Sequence, residues 1–246
     1  MKYLVTGGSR GLGRRLVLDL VEAGHSVAFT FLADEAAAAE VESEARQLHP
    51  SGVCVAVKLD QRDPAMVEDV CSYIIDKFDG VDVLINNAGV NRNGLAMSVS
   101  DEDWKEVLDT NLSGPFYLSR QLLPCFLGQR RGRFIHMSSV ASNGATGQIC
   151  YAASKAGLAG LSGTLAREYG SRGITSNVLV LGMLAGGMSL KDASEDNRKT
   201  WKSLCPARRE GDLGEVFGMV DYLASDAASF VNGQEVFLTG GMNWIP

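Results

Sequence analysis

Tyr151 and Lys155 stand in the run Tyr151-Ala152-Ala153-Ser154-Lys155, which puts them one turn apart on one face of a helix. A free phenol titrates near pH ~10 and exchanges protons poorly at neutrality. A neighbouring ammonium favours the phenolate and lowers that pKa, which tunes the phenol for proton transfer. The same spacing also occurs on solvated helix faces, so the pair acquires meaning only from its company.

A second chemical signal lies near the start of the chain. Thr6-Gly7-Gly8-Ser9-Arg10-Gly11-Leu12-Gly13 follows the apolar run Tyr3-Leu4-Val5 and leads into a helical pattern. Glycines permit a tight turn and let backbone approach a pyrophosphate, which the positive end of the helix then attracts. Between a strand and a helix, such a turn predicts dinucleotide binding through Gly7, Ser9, Arg10, Gly11 and Leu12. The second strand ends in Phe29-Thr30-Phe31-Leu32 without an acid to grip a ribose 2′-hydroxyl. Asp34 and Glu35 come late enough to cap the next helix. Arg10 can meet a 2′-phosphate by charge-assisted hydrogen bonds, which selects NADP(H) over NAD; the plainer alternative is a solvated surface arginine.

Short β-branched runs alternate with helical patterns along the whole chain. Strands are predicted at 3–6, 26–31, 53–58, 83–86, 133–137, 175–180 and 234–238. Between them Leu12, Leu16 and Leu20, and later Val41 and Ala45, recur at the four-residue spacing of a helix's inward stripe. Apolar strands alternating with helices imply a parallel sheet covered on both faces. The prediction is an α/β chain forming a single-domain doubly wound (Rossmann) fold over residues 1–246, with a seven-stranded parallel sheet. The stretch 183–211 breaks the rhythm with Gly186-Gly187, a polar run from Lys191 to Lys199 and a turn at Pro206, and is expected to be a substrate lid.

Composition excludes several classes. A formal charge of −6 argues against a general nucleic-acid or acidic-membrane binder. No apolar run approaches the roughly 18 residues of a membrane span. Met1-Lys2 leads straight into the first strand, so no cleavable leader is expected and the localisation is read as cytoplasmic. Cys54, Cys71, Cys125, Cys150 and Cys205 are odd in number and lack paired spacing, as reduced cytosolic thiols do, and Cys150 adjoins Tyr151. His25, His49 and His136 show no ligand spacing, and no metal is expected.

Taken together, Thr6-Gly7 through Gly11-x-Gly13, Asn86-Asn87-Ala88-Gly89, Asn111, Ser138-Ser139, Tyr151-x-x-x-Lys155 and Gly240-Gly241 follow the order and approximate spacing of the short-chain dehydrogenase/reductase family. The chain resembles that family over nearly its whole length. Tyr151-Ala-Ala-Ser-Lys-Ala-Gly157 and Ser171-Arg-Gly-Ile-Thr175 look most like its 3-oxoacyl-[acyl-carrier-protein] reductases and related ketoreductases. The resemblance implies that Tyr151 gives a proton to a carbonyl oxygen, while Lys155 binds the nicotinamide ribose and depresses the phenol. It implies that Ser139 hydrogen-bonds the substrate oxygen, and that Asn111 interrupts its helix and holds a water linking Lys155 to solvent. Asn87, Ala88 and Gly89 would line the adenine-ribose side of the cofactor, and Asp60 would meet the adenine. The interval from Ser139 to Tyr151 is one residue short of the family's usual one, which would point to Ser138. Ser139 is preferred, because a loop absorbs a deletion more cheaply than a buried strand changes register.

One departure bears on substrate. Where the family usually reads Pro-Gly with a threonine a few residues on, this chain has Leu181-Gly182 and then Ala185-Gly186-Gly187. Gly182 can still serve the cofactor-side turn, but the threonine contact is lost. The expected activity is NADPH-dependent reduction of a ketone, most naturally a small-molecule or carrier-bound 3-oxoacyl thioester or polyketide-like carbonyl. Alternatives are an alcohol dehydrogenase for a cyclic, sugar-like or steroid-like substrate and a cofactor-sensing regulator without turnover. Arg130, Arg131 and Arg172 offer a patch for an acidic acyl carrier protein, or are ordinary surface arginines. Small residues Ala159, Gly160, Gly163 and Ala166 permit close helix contact, within the chain or across the homotetramer that the family commonly forms.

Overall fold

The computed structural model describes residues 1–186 and 194–243. Its sheet has seven parallel strands: β1 (Lys2–Val5), β2 (Ser26–Phe31), β3 (Cys54–Lys58), β4 (Val83–Asn86), β5 (Gly132–Ser139), β6 (Ile174–Leu181) and β7 (Glu235–Leu238). They lie side by side in the order β3-β2-β1-β4-β5-β6-β7. The sequence order reverses between β1 and β4, and at such a switch point the loops after the two strands part and leave a crevice at the carboxyl edge. The central strands β4 and β6 are buried throughout, and β1 and β2 at all but their first residue.

Alternation along the strands divides the core into two layers. Tyr3, Val5, Val27, Phe29, Val83 and Ile85 face one side. There they meet the stripes of α1 (Gly11–Glu22), α2 (Glu35–Leu48) and α8 (Leu213–Ala224). Leu16 and Leu20 sit in that stripe at zero exposure, with Val41 and Ala45 beside them, as their spacing predicted. Leu4, Ala28, Leu84 and Phe134 face the other side, against α3 (Pro64–Phe78), α5 (Gly114–Gln129) and α6 (Ile149–Tyr169). Each large side chain fully buried in these layers stabilises the fold by about 1.5–3 kcal/mol before entropy is charged against it.

All seven predicted strands are present, β2 and β4 with the predicted bounds and the other five with shifted ends. The largest shift is in β5, which runs on through Ser138 and Ser139 because β6 continues to pair with it as far as Leu181. In the 183–211 stretch, Ala185 N–H donates to the Gly211 carbonyl at 2.8 Å and Gly211 N–H to that of Met183 at 2.9 Å. These bonds pinch the ends of the excursion together, and α7 (Glu195–Leu204) lies within it. Glu210 holds α7 through Arg198 at 3.3 Å and Lys202 at 3.1 Å. Gly187 and the polar run through residue 193 lie outside the described residues. No helix among the described residues is long and apolar enough to cross a membrane.

One small residue of α6 packs within the chain. A side chain on Gly233 would strike Ala166 at 3.2 Å, so Ala166 serves packing within the chain. Gly160 faces open space.

Candidate active site

The glycine turn sits in the crevice beside β1 and β4. Gly7 (φ +67°) and Gly11 (φ +55°) take the left-handed conformation that disfavours other residues. A side chain on Gly13 would strike the Gly7 carbonyl at 2.1 Å, which is the close packing a phosphate turn needs. The turn is tied to the segment after β4. Thr6 Oγ1 accepts from Asn87 N–H at 3.0 Å and from Ala88 N–H at 2.9 Å, and Asn87 Nδ2 donates back to the Thr6 carbonyl at 2.8 Å. Ser9 and Leu12 are half-buried in the same turn.

Helix α1 begins unlike α2, α3, α4 (Asp101–Leu108) and α8, and like α5 and α6 it has no side-chain cap. Asp34 caps α2, Asp63 caps α3, and Asp212 caps α8. Ser100 caps α4. Helix α1 starts at Arg10 with no side-chain cap and no acid in its first turn. Its leading N–H groups and positive dipole end therefore face the crevice without an internal acceptor, and that donor set fits a phosphate. Arg10 is exposed and forms no ion pair or side-chain hydrogen bond among the described residues. The late acids after β2 are engaged elsewhere: Asp34 accepts from Ala37 N–H at 3.0 Å, and Glu35 lies 3.5 Å from Lys58. A dinucleotide carrying a 2′-phosphate thus fits the residues present.

Asp60 follows β3 with its side chain engaged. Its carboxylate is gripped by Arg62 at 2.6 Å, and that guanidinium holds it below the usual carboxylate range. Gly182 N–H donates to the Leu238 carbonyl at 3.0 Å, and a side chain there would meet the Thr239 backbone at 2.8 Å. The glycine is thus required where β6 leaves the sheet beside the end of β7.

Four side chains converge where β5 ends against α6. Ser138 and Ser139 alternate in direction, as adjacent strand residues must. Ser138 is buried and its Oγ donates to the Lys155 carbonyl at 3.1 Å. Ser139 sits at the strand end, where its Oγ accepts from Ala141 N–H at 3.2 Å and its hydroxyl favours ionisation of the Tyr151 phenol. Lys155 is buried and its Nζ donates to the Met137 carbonyl at 2.7 Å, 5.6 Å from the centre of the Tyr151 ring. Asn111 is buried, with Oδ1 accepting from Val90 N–H and Nδ2 donating to the Val90 carbonyl, both at 2.8 Å. The same Nδ2 reaches Ser154 Oγ at 3.1 Å. A side chain on Gly89 would lie 3.2 Å from Asn111 Oδ1 and 3.5 Å from Lys155 Nζ, so only glycine leaves room between them.

Electrostatics correct one expectation. Burial dominates both titrating groups: it pushes the Tyr151 phenol up to about 12, against the opposing Ser139 hydrogen bond, and pushes Lys155 down to about 8. The ammonium was expected to depress the phenol, but its hydrogen bond is to the Met137 carbonyl, and burial sets the direction of the phenol's shift. The outcome still suits one direction of chemistry, because a phenol held protonated at neutral pH is the form that gives a proton away.

Two participants were not evident from the sequence. Gln61, buried after β3, reaches the turn that carries Asn111. His136, fully buried on β5, lies between Asn86 Nδ2 at 3.0 Å and Ser176 Oγ at 3.2 Å, and Ser176 continues to Ser162 Oγ at 2.9 Å. Burial, then the Lys155 charge, drives this imidazole down to about 3, so it is neutral beneath the lysine. An isolated histidine carries no spacing signal that would have announced this chain. Cys150 is buried, and burial raises its thiol; all five cysteines are free.

The basic patch lies elsewhere. Arg130 and Arg131 line a cleft of about 240 Å³ with Arg133 and Asp226, at the end where β5 begins. Eight residues of strand, about 25 Å, separate that end from Ser139. Arg131 and Arg133 share Asp226 at 3.0 and 3.3 Å, and Arg172 is exposed nearby in sequence to β6.

Comparison with known proteins adds a lineage to this geometry. Residues 7–243 match a family model described as enoyl-(acyl carrier protein) reductase. The chain is 39% identical over 240 residues to the 3-oxoacyl-[acyl-carrier-protein] reductase FabG of Escherichia coli (strain K12), covering 97% of this chain and 96% of that protein. Against the reductase of the same name from Staphylococcus epidermidis (strain ATCC 12228 / FDA PCI 1200), identity is 35% over 240 residues, with 97% of each covered. Among solved structures, levodione reductase superposes with a TM-score of 0.92 at 27% identity, over 98% of this chain and 96% of that one.

Proposed function

The chain belongs to the short-chain dehydrogenase/reductase family, and from that premise we propose that it uses NADPH to reduce a 3-oxoacyl thioester, carried by acyl carrier protein or coenzyme A, to the secondary alcohol. The observation that carries this reading is the gathering of Ser139, Tyr151, Lys155 and Asn111 where β5 ends against α6, with Lys155 Nζ 5.6 Å from the Tyr151 ring. The glycine turn, the uncapped start of α1, Arg10 and the segment Asn87–Gly89 would hold the dinucleotide, with Lys155 at the nicotinamide ribose. When bound, the reduced nicotinamide supplies a hydride to the carbonyl carbon.

The protein's own residues handle the oxygen. Ala141 N–H occupies a lone pair of Ser139 Oγ, so the serine's own hydrogen is left to donate to the carbonyl oxygen. Tyr151, kept protonated by burial, gives its proton to the same oxygen as negative charge develops there. Lys155 spends one N–H on Met137 and keeps two for the ribose and for proton resupply. Asn111 fixes the loop at Val90 and the helix at Ser154, and so sets the wall along which that proton travels. We read residues 183–211 as the lid over the substrate, and the chain as one catalytic domain that works in the cytoplasm as a homotetramer. The pinched ends of the excursion and the open face at Gly160 support these readings.

A second reading, reduction of a ketone not borne on a carrier, is favoured by the likeness to levodione reductase. One assay separates the candidates. Mixed with NADPH, the protein is expected to consume the reduced nicotinamide absorbance with 3-oxoacyl thioesters, whether linked to carrier protein or to coenzyme A. Turnover confined to cyclic ketones would transfer the assignment to the second reading, and turnover confined to 2-enoyl thioesters would move it to the chemistry named by the matching family model. Tight NADPH binding without turnover of any of them would mark a sensor rather than an enzyme.

Cofactor choice has its own test. Arg10→Ala is expected to raise the KM for NADPH by about 10- to 100-fold, the worth of a charge-assisted hydrogen bond, and to alter that for NADH by less than about twofold. Equal loss with both nucleotides would remove Arg10 from the 2′-phosphate site.

A further inference from the structure

The turn that presents Asn111 carries a defect in its hydrogen bonding, and a residue from a distant loop repairs it. In an α-helix the Thr110 carbonyl accepts from the N–H of residue 114. Here Gly114 N–H donates to Asp109, one residue further back, so that 109–113 forms a π-type turn. The next N–H along that could serve Thr110 belongs to residue 115, which is proline and has none. The run Gly114-Pro115 therefore strips the half-buried Thr110 of both helical partners, and a carbonyl shielded from water and left so costs up to a lost hydrogen bond. Gln61 Nε2 donates to it at 2.6 Å. Gln61 is only 6% exposed, and its stem lies so close to Gly114 that a side chain there would come within 2.7 Å of Gln61 Cγ. Proline, glycine and glutamine thus make one arrangement.

We infer that Gln61 is a positioning residue for the catalytic site: its amide holds the π-type turn in register, and the turn in register keeps Asn111 on Val90 and Ser154 beside Lys155. It acts on the reaction only through Asn111 and touches no reacting atom. The catalytic consequence rests on the reductase reading, whereas the structural one does not.

Gln61→Met keeps the length of the side chain and removes the N–H. In the variant, amide hydrogen exchange over residues 109–116 rises by about tenfold, as expected for one lost buried hydrogen bond, while exchange in β5 and α6 holds at its wild-type rate. Ketone turnover per NADPH-binding site falls by about fivefold or more, and in an Asn111→Ala background the same substitution changes turnover by less than about twofold, because the group it positions is already gone. An equal loss in both backgrounds would reduce Gln61 to general stability, and unchanged exchange over 109–116 would remove it from the turn altogether; either result overturns the inference. Should Gln61→Met fail to fold, Gln61→Asn, which keeps an amide but falls one methylene short, is judged by the same two measurements. If the wild-type protein reduces no ketone, the proposed function fails by itself and the exchange measurement still decides the role of Gln61.

Discussion

Tyr151→Phe is expected to lower kcat for ketone reduction by about a hundred- to ten-thousand-fold, the range that a positioned general acid supplies, while NADPH still binds within about twofold of its wild-type affinity. The substitution removes one oxygen. The ring that lies 5.6 Å from Lys155 Nζ remains, so the lysine keeps its neighbour and its bond to Met137. Ser139 also remains, still oriented by Ala141 N–H, and it continues to polarise the carbonyl without a proton to transfer. The residual rate therefore measures what Ser139 and substrate binding achieve alone. Steady-state turnover with a 3-oxoacyl thioester gives the first quantity and quenching of NADPH fluorescence the second. A variant that kept most of its rate would take proton donation away from Tyr151.

Legibility in the sequence follows the range of the interactions concerned. The strands could be read because each needs only its own apolar run, and the inward stripe of α1 because Leu16 and Leu20 repeat locally. The end of β5 was misjudged at Met137 because Ser138 and Ser139 look like loop; what keeps them in the sheet is β6, more than thirty residues on, which pairs Ser139 with Leu181. The phosphate turn was visible for a local reason too, since positive φ at Gly7 and Gly11 leaves a glycine signature. Gln61 was invisible because its partner is 49 residues away, although the clue to a missing donor, Pro115 four residues after Asn111, was present. His136 carried no pattern at all, for its partners come from two other strands, β4 and β6. The state of the Tyr151–Lys155 pair was misread for a related reason: spacing reports proximity, whereas desolvation is set by everything packed around the pair.

Lys155 brings the cost of that desolvation and its use into one experiment. Lys155→Met fills a similar volume but removes the amine, and it is expected to lower kcat/KM by about a thousandfold through lost proton resupply and ribose contact. Stability should move the other way. The folded pKa of Lys155 is about 8, below its ordinary 10.5, so at neutral pH the folded state holds a cation that burial penalises by about 3 kcal/mol. Between about 8 and 10.5 the native amine has shed its proton while the unfolded one still carries it, and the lysine's own contribution to stability therefore rises with pH across that window. In Lys155→Met the rise is absent, and at pH 7 the variant unfolds at a denaturant concentration no lower than wild type despite the lost bond to Met137. Chemical denaturation at pH 7, 8, 9 and 10 tests both statements. A variant less stable at pH 7, or one that keeps the alkaline rise, would mean that the lysine is retained for structure. Loss of turnover with stability preserved or gained is what a residue kept buried for its chemistry must show.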